Sequence, residues 1–116
     1  MMEKVNLEMI RGDTFTFGFE VEYDADPQAL DSVSFTCKKN YDDADVVFQK
    51  KLGHGVTYTK DSSEKYQYVV RVAPEDTENI EAGHYYYDLQ IGINGDVFTV
   101  LIGSLKIHND VTLGVN

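Results

Sequence analysis

The sequence predicts an all-β fold in which two antiparallel sheets pack into a sandwich. Apolar residues alternate with polar ones through almost every apolar stretch, and this period of two is typical of strands with one buried face. Turn-rich breaks recur between these stretches, at a spacing that suits seven or eight short strands. A length of 116 residues suits a single domain, which we expect to span residues 1–116.

The first predicted strands are residues 5–10 and 14–23, and the second of them has the clearest alternation. Its apolar side chains share one face: Phe15, Phe17, Phe19, Val21 and Tyr23. Arg11-Gly12-Asp13 lies between the two strands and spells the integrin-binding tripeptide. A position between strands favours a tight turn instead, in which Gly12 supplies the positive φ angle.

The middle of the chain predicts four further strands, at residues 32–38, 46–51, 56–59 and 66–73. The breaks between strands are expected at residues 24–27, 40–45, 53–55 and 60–65, which are rich in Asp, Asn, Gly and Lys. Cys37 continues the apolar alternation, so we expect a buried, unreactive thiol. Because Cys37 is the single cysteine, an intramolecular disulfide is excluded.

The last predicted strands, residues 84–93 and 96–107, form a hairpin around Asn94-Gly95, a dipeptide typical of a type I′ turn. This turn predicts a register with four opposed pairs: Ile93 with Asp96, Ile91 with Phe98, Leu89 with Val100, and Tyr87 with Ile102. The apolar parity then changes at Leu105, so we expect a β-bulge near Gly103-Ser104.

The face of this hairpin that points away from the predicted core is more apolar than a solvated face needs to be. It carries a candidate partner surface at Tyr86, Val97 and Leu101. Scattered exposed apolar residues are also normal in soluble proteins, and that alternative stays open at this point.

Residues 74–85 connect two predicted strands and have room for one helical turn anchored by Ile80. The spacing Glu81-x-Gly83-x-Tyr85 resembles the tyrosine corner of immunoglobulin-like domains, in which the Tyr hydroxyl binds backbone a few residues upstream. Tyr87 stands where antibody domains place a cysteine, and the chain has no Trp. The sequence therefore predicts an immunoglobulin-like antiparallel β-sandwich of seven to eight strands, held together by packing alone.

Charge narrows the class of partner. Twenty Asp and Glu against ten Lys and Arg give a net charge of −10, which repels phosphate backbones and anionic lipid. We therefore expect binding to neither nucleic acid nor membrane. The sequence has no apolar run that resembles an export signal or a membrane span, so we expect synthesis to end in the cytosol.

No pattern in the chain predicts catalysis, a cofactor or a metal site. His54, His84 and His108 are too scattered for metal-ligand spacing. The Asp runs at residues 24–26 and 42–45 lack the spacing of a calcium loop and favour turns. We therefore expect a protein that is not an enzyme.

Five segments together resemble a known family in their order and spacing. They are residues 11–14, 73–77, 82–90, 97–107 and 110–112. In this respect the chain resembles immunoglobulin-like virion proteins of phages and prophages, and is similar to the N-terminal domain of phage baseplate upper proteins. The resemblance implies a non-enzymatic building block that is assembled in the bacterial cytoplasm and becomes part of the virion.

The resemblance also implies the partners, namely other virion proteins, and leaves a homo-oligomer open. In that family the domain usually precedes a longer region, whereas this sequence stops at Asn116. We therefore expect a baseplate or tail adaptor, or a decoration module, that acts by protein–protein association. The alternative is a carbohydrate-binding module that stacks sugars on tyrosines, with Tyr58, Tyr66, Tyr68 and Tyr86 as candidates.

Overall fold

The computed structural model describes residues 3–22, 30–60, 65–93 and 95–110, with the backbone alone at residues 21–22, 59–60 and 65–66. The regular secondary structure of this part of the chain is almost entirely β-strand, as predicted, with one helical turn. Its elements, in chain order, are β1 (Glu3–Lys4), β2 (Leu7–Ile10), β3 (Phe15–Glu22), β4 (Ser32–Lys38), β5 (Phe48–Leu52), β6 (Gly55–Lys60), β7 (Lys65–Val72), α1 (Pro74–Thr77), β8 (Gly83–Ile93) and β9 (Asp96–His108). The strand predicted at residues 5–10 is confirmed only as β2 at residues 7–10, since residues 5–6 are not strand and β1 precedes them at residues 3–4.

The strands form one curled sheet in the order β1–β9–β8–β4–β5–β6–β7–β3, and β2 also pairs with β9. The pairing of β5 with β6 joins only Lys51 to Gly55 and Leu52 to Val56. The sheet therefore has two halves, which we call the first half (β1, β2, β9, β8, β4, β5) and the second half (β6, β7, β3).

The sheet is mixed, which corrects the expectation of a purely antiparallel one. Both β1 and β2 pair in parallel with β9, and β5 pairs in parallel with β6. The physical reason is that the N-terminal segment lies along the last strand in the same chain direction. All other pairings among the described strands are antiparallel.

The two halves pack through the apolar face that the alternation predicts. Phe17 of β3 meets Phe35 of β4 edge to face, with ring centroids 5.3 Å apart, and Phe35 lies 5.2 Å from the Tyr87 ring. Other fully buried side chains include Val33, Cys37, Val56, Tyr68, Val70, Val72, Leu89, Leu105 and Ile107. The prediction of an all-β, sandwich-like fold is therefore confirmed, as is the burial of Cys37, but the two layers belong to one continuous sheet of nine described strands instead of two sheets with seven to eight. The Val21 side chain and Tyr23 lie outside the described part of the chain.

The predicted tyrosine corner is present. Tyr85 is buried, and its hydroxyl donates a hydrogen bond to the Glu81 carbonyl oxygen at 2.5 Å. The single helical turn α1 stands just before it, where the Asp76 carboxylate accepts a hydrogen bond from the Ala73 amide at 2.7 Å. Ile80 packs against the core as expected. The segment between β7 and β8 is thus stabilised by its own side chains.

The register of the hairpin agrees with the prediction near the turn and departs from it further on. Ile93 opposes Asp96 and Ile91 opposes Phe98, as expected. The register then shifts, so that Gln90 opposes Thr99 and Leu89 opposes Leu101, with Val100 as the extra residue. The predicted pairs of Leu89 with Val100 and of Tyr87 with Ile102 are wrong, and the irregularity is at Val100 instead of Gly103-Ser104.

Gly103 has a different role, which explains the misplaced bulge. A Cβ atom at this position would lie 1.9 Å from the Val5 carbonyl oxygen. A glycine inside a strand marks either a bulge or a close approach of another backbone, and here it marks the close approach. The shifted register also puts Leu101 on the core face with Leu89, and Ile102 on the outer face with Asp88.

Several predicted turns can be compared directly. The break at residues 40–45 contains a turn in which the Asp43 amide donates to the Asn40 carbonyl at 3.2 Å. The break at residues 53–55 has positive φ angles at Gly53 and Gly55. The turn at residues 24–27, residues 61–64 and Asn94 lie outside the described residues. Gly95, the second residue of the predicted hairpin turn, has a φ angle of 85°.

We expect Tyr85→Phe to lower the free energy of unfolding by about 1–2 kcal/mol, because the Glu81 carbonyl loses its donor. Urea denaturation followed by circular dichroism measures this. Tyr41→Phe is the matched control, since the Tyr41 side chain is 53% exposed, and it should change stability by less than about 0.5 kcal/mol. Equal effects of the two substitutions would contradict the structural role of the corner.

We expect stability to fall as the pH rises above about 9. Burial raises the pKa of the Cys37 thiol from 9.0 to about 12, and mainly burial raises that of the Tyr87 phenol from 10.0 to about 12. Above pH 9 the unfolded chain therefore loses protons that the folded chain keeps, and the stability present below that pH is lost towards pH 12. Urea midpoints at pH 7, 9 and 10.5 measure the loss. Cys37→Ala should show a smaller drop between pH 9 and 10.5, and an unchanged drop would refute the contribution of the thiol.

Candidate protein-binding site

Tyr86, the first residue of the predicted partner surface, lies on the outer face of the first half. Its cross-strand neighbours are Lys38 on β4 and Ser104 on β9. The ring of Tyr41, from the segment between β4 and β5, lies 4.5 Å from the Tyr86 ring, centroid to centroid. Tyr86 is half-buried and Tyr41 is exposed, so the pair presents aromatic surface to solvent.

Val97 and Leu101 do not join Tyr86 in one patch. Val97 is 65% exposed and opposes Gly92, six residues along β8 from Tyr86, which is a distance of about 20 Å. Leu101 lies on the opposite face, because the bulge at Val100 turns it towards the core. The predicted surface is therefore divided: Tyr86 and Val97 share a face at a distance, and Leu101 belongs to another part of the molecule.

The structure instead groups other side chains with Tyr86. We call this group the outer patch, and its members are Lys38, Tyr41, Tyr86, Asp88 and Ile102. A small cavity of about 50 Å³ lies beside the two rings, lined also by Lys38 and Asp88. Burial raises the pKa of the Asp88 carboxyl, while the Lys38 ammonium opposes that shift. The patch therefore combines aromatic surface with a partly desolvated charge of each sign.

Two members of the outer patch could not be found from the sequence pattern. Tyr41 stands in a turn-rich segment without alternation, so no periodicity marks it. Ile102 was placed on the core side by a register that ran straight through Val100. A correct position for the bulge would have identified Ile102, whereas nothing local would have identified Tyr41.

Leu101 lies beside a second feature, an apolar groove along the side of the sandwich. This lateral groove lies between β1, β2 and β9 on one side and β3 on the other, and its volume is about 810 Å³. Its apolar lining includes Val5, Leu7, Phe17, Phe19, Ile91 and Leu101. Glu3 and Glu20 also line it. The size is within the range of about 300–1,000 Å³ that is usual for ligand sites.

The Arg11-Gly12-Asp13 tripeptide is a tight turn, as predicted. Gly12 has a φ angle of 81°, and the Asp13 amide donates to the Ile10 carbonyl at 3.1 Å. The Arg11 guanidinium forms an ion pair with Asp110 at 3.0 Å, and the Gly12 amide donates to the Thr77 hydroxyl at 2.8 Å. The arginine is thus occupied in joining the turn to the end of β9.

The side chains with metal-binding chemistry remain apart. No group of three or more His, Cys, Asp or Glu within residues 3–22, 30–60, 65–93 and 95–110 could hold a metal ion. His108 lies 2.7 Å from the Glu8 carboxylate at the surface, and His54 and His84 are exposed. Asp24 and Asp26 lie outside the described residues. In the part of the chain that the structure covers, no helix has the length and apolar character needed to cross a bilayer.

The tyrosines of the carbohydrate-binding alternative do not form a shared platform. Tyr68 is fully buried, and its hydroxyl accepts a hydrogen bond from the Leu30 amide at 2.9 Å. Tyr58 lies on the second half of the sheet and Tyr86 on the first. The Tyr66 side chain lies outside the described part of the chain. Among the described tyrosines, Tyr41 and Tyr86 are the pair whose rings adjoin at the surface.

No protein-family model matches this chain, and no curated protein is significantly similar to it in sequence. The function is therefore inferred from the geometry of the outer patch and from the residues that carry the resemblance.

We expect Gly103→Ala to detach the N-terminal segment from β9, because the new methyl group would overlap the Val5 carbonyl. Tyr87 donates a hydrogen bond to that same carbonyl at 2.6 Å, so this contact should be lost too. Hydrogen exchange of the backbone amides of residues 5–10 should accelerate, and stability should fall by about 1–3 kcal/mol. Ser104→Ala, one residue further along β9, is the control. Unchanged exchange in Gly103→Ala would contradict the close approach.

Proposed function

We propose that this protein is a structural module of a phage or prophage virion, a baseplate or tail adaptor or a decoration protein. It acts by binding other virion proteins and carries out no reaction of its own. In this proposal it folds in the bacterial cytoplasm and is built into the particle there. Association with further copies of itself is compatible with the role.

The observation that carries the proposal is the outer patch. The face of a sheet that packs against nothing is normally polar, yet here two tyrosine rings adjoin at 4.5 Å beside the apolar Ile102. Tyrosine is enriched at the centres of protein interfaces, because its ring gives a large contact area and its hydroxyl tolerates water. Lys38 and Asp88 add one charge of each sign, which would fix the orientation of a partner.

The resemblance to phage virion proteins is the reason for proposing a virion as the assembly. Its segments include the Arg11 turn, α1 with the tyrosine corner, and most of β8 and β9. In the fold these segments meet: Arg11 bonds to Asp110 and to the Ile80 carbonyl, and the Gly12 amide bonds to Thr77. Three of the segments that carry the resemblance are thus joined by side-chain contacts at one end of the sandwich, through Arg11, Gly12, Thr77 and Asp110. Residues 111–112 of the resemblance lie outside the described part.

Carbohydrate binding has less support than protein association. One of its four candidate rings, Tyr68, is enclosed in the core, and Tyr58 and Tyr86 belong to different halves of the sheet. Stacking of a sugar requires an exposed ring face. The Tyr41–Tyr86 pair serves protein association equally well, because it has the apolar Ile102 and the charged Lys38 and Asp88 around it.

The proposal predicts that the protein co-purifies with phage particles. Particles from a lysate of the bacterium that carries this gene are separated on a density gradient and probed with an antibody to the protein. Tyr86→Ala should lower the amount in the particle band by about tenfold or more, because an interface tyrosine typically contributes at least 1–2 kcal/mol. Val46→Ala is the matched control, since Val46 is exposed and lies outside the outer patch.

Three outcomes separate the elements of this proposal. Wild-type protein that is absent from the particle band contradicts the virion role. Wild-type protein that is present, with Tyr86→Ala incorporated like Val46→Ala, supports the virion role and removes the outer patch as the contact. If Tyr86→Ala is lost from the particle band while Val46→Ala remains there, and the circular dichroism spectrum of Tyr86→Ala is unchanged, the result supports both the virion role and the outer patch as the contact.

A further inference from the structure

Among the described strands, β3 is a long edge strand whose protection against pairing is limited to the charges of Glu20 and Glu22. Among the strands that the structure describes, β3 pairs with β7 only, in an unbroken antiparallel register from Phe15 to Glu22. Natural edge strands are commonly kept short, bulged, or interrupted by Pro or Lys. This strand has eight residues, no bulge, no Pro and no Lys. Its other edge therefore offers a row of backbone groups to a further strand.

An apolar floor lies next to this edge. The lateral groove runs alongside β3, with Phe17 and Phe19 on one wall and Val5, Leu7 and Leu101 on the other. No described strand lies between β2 and β3, because β1 and β2 pair with β9 instead. The Tyr87 hydroxyl donates a hydrogen bond to the Val5 carbonyl and so helps to keep the N-terminal segment beside β9. Gly103 leaves the space that the Val5 backbone occupies there. The groove is thus a product of how the N-terminal strands are paired.

We propose that the lateral groove and the β3 edge together bind an extended segment of a partner protein, which adds as a strand to β3. Main-chain hydrogen bonds to β3 would give affinity, and alternate apolar side chains of the segment would enter the groove, as in other cases of strand addition. This inference rests on the proposed function, association with other proteins, and assigns it a second surface on the opposite side of β8 from the outer patch.

Charge identifies the chemistry of the segment. Glu3 and Glu20 line the groove, the Glu20 carboxylate also accepts a hydrogen bond from Gln67, and the chain as a whole has a net charge of −10. A second copy of this chain would carry the same net charge of −10 and the same Glu20 and Glu22 on its own β3, and like charges opposed across a strand pair are destabilising. A segment with Lys or Arg beside its apolar residues complements the groove. The occupant is therefore a basic, alternately apolar segment of a different protein.

Hydrogen exchange on the purified protein tests this proposal with synthetic peptides. The probe is acetyl-Lys-Val-Thr-Val-Thr-Val-Thr-Val-Lys-amide. One control peptide has Glu in place of both Lys residues, and another has the same sequence with N-methyl groups on alternate residues, which removes main-chain donors. The lysine peptide should slow exchange of those β3 amides that do not bond to β7. The affinity of the glutamate peptide should be lower by at least about fivefold. The N-methylated peptide should give no protection.

A pair of variants locates the site. Val100→Glu places a charge at the groove, since Val100 lines it, and should weaken binding of the lysine peptide by more than about tenfold. Val46→Glu makes the same change at an exposed position outside the groove and should leave binding unchanged. The N-methylated peptide keeps the test decisive even where Val100→Glu lowers stability.

Two results would overturn the inference. The first is protection that spares β3, or that the glutamate and N-methylated peptides give equally. The second is a dimer of the protein alone in analytical ultracentrifugation that Val100→Glu dissociates, because the occupant would then be a second copy. Neither result depends on phage particles, so failure here is distinguishable from failure of the virion role.

Discussion

Burial of apolar side chains between the two halves of the sheet is the interaction on which the rest of the structure depends. The hydrogen-bonded path from one half to the other passes through only two residue pairs, between β5 and β6. So short a ladder does not hold two layers together. The contact of Phe17 with Phe35 joins the two layers. Phe35 in turn packs against Tyr87 within the first half. The curled sheet is a sandwich because its apolar face closes on itself.

The position of the N-terminal segment follows from that packing and has a consequence for binding. Tyr87 occupies the core and extends its hydroxyl to the Val5 carbonyl, while Gly103 leaves room for the Val5 backbone against β9. These two residues assign β1 and β2 to the first half. The same assignment leaves β3 with one partner and opens the lateral groove beside it. A core tyrosine and a strand glycine thereby determine which edge of the domain stays available.

The two surfaces differ in the kind of contact they offer. The outer patch is a sheet face with aromatic rings and charges of both signs, which suits the flat surface of a folded partner. The lateral groove is an apolar channel beside an edge strand, which suits an extended segment. A connector in a larger assembly needs at least two contacts in different directions, and these surfaces lie on opposite sides of β8.

The sequence by itself determined the all-β class and the buried faces of regular strands such as β3 and β4, because a period of two is a local property. Residues 32–38 were predicted without error, and Tyr85 was identified from the spacing around Gly83. The approach of one backbone segment to a distant one leaves no local pattern, so the sequence predicts a bulge at Gly103, whereas the structure places the Val5 backbone against it. The bulge at Val100, the face of Leu101, and the meeting of Tyr41 with Tyr86 were decided by tertiary structure alone. In each case the deciding neighbour stands in a different strand or turn, and no pattern along one strand can contain it.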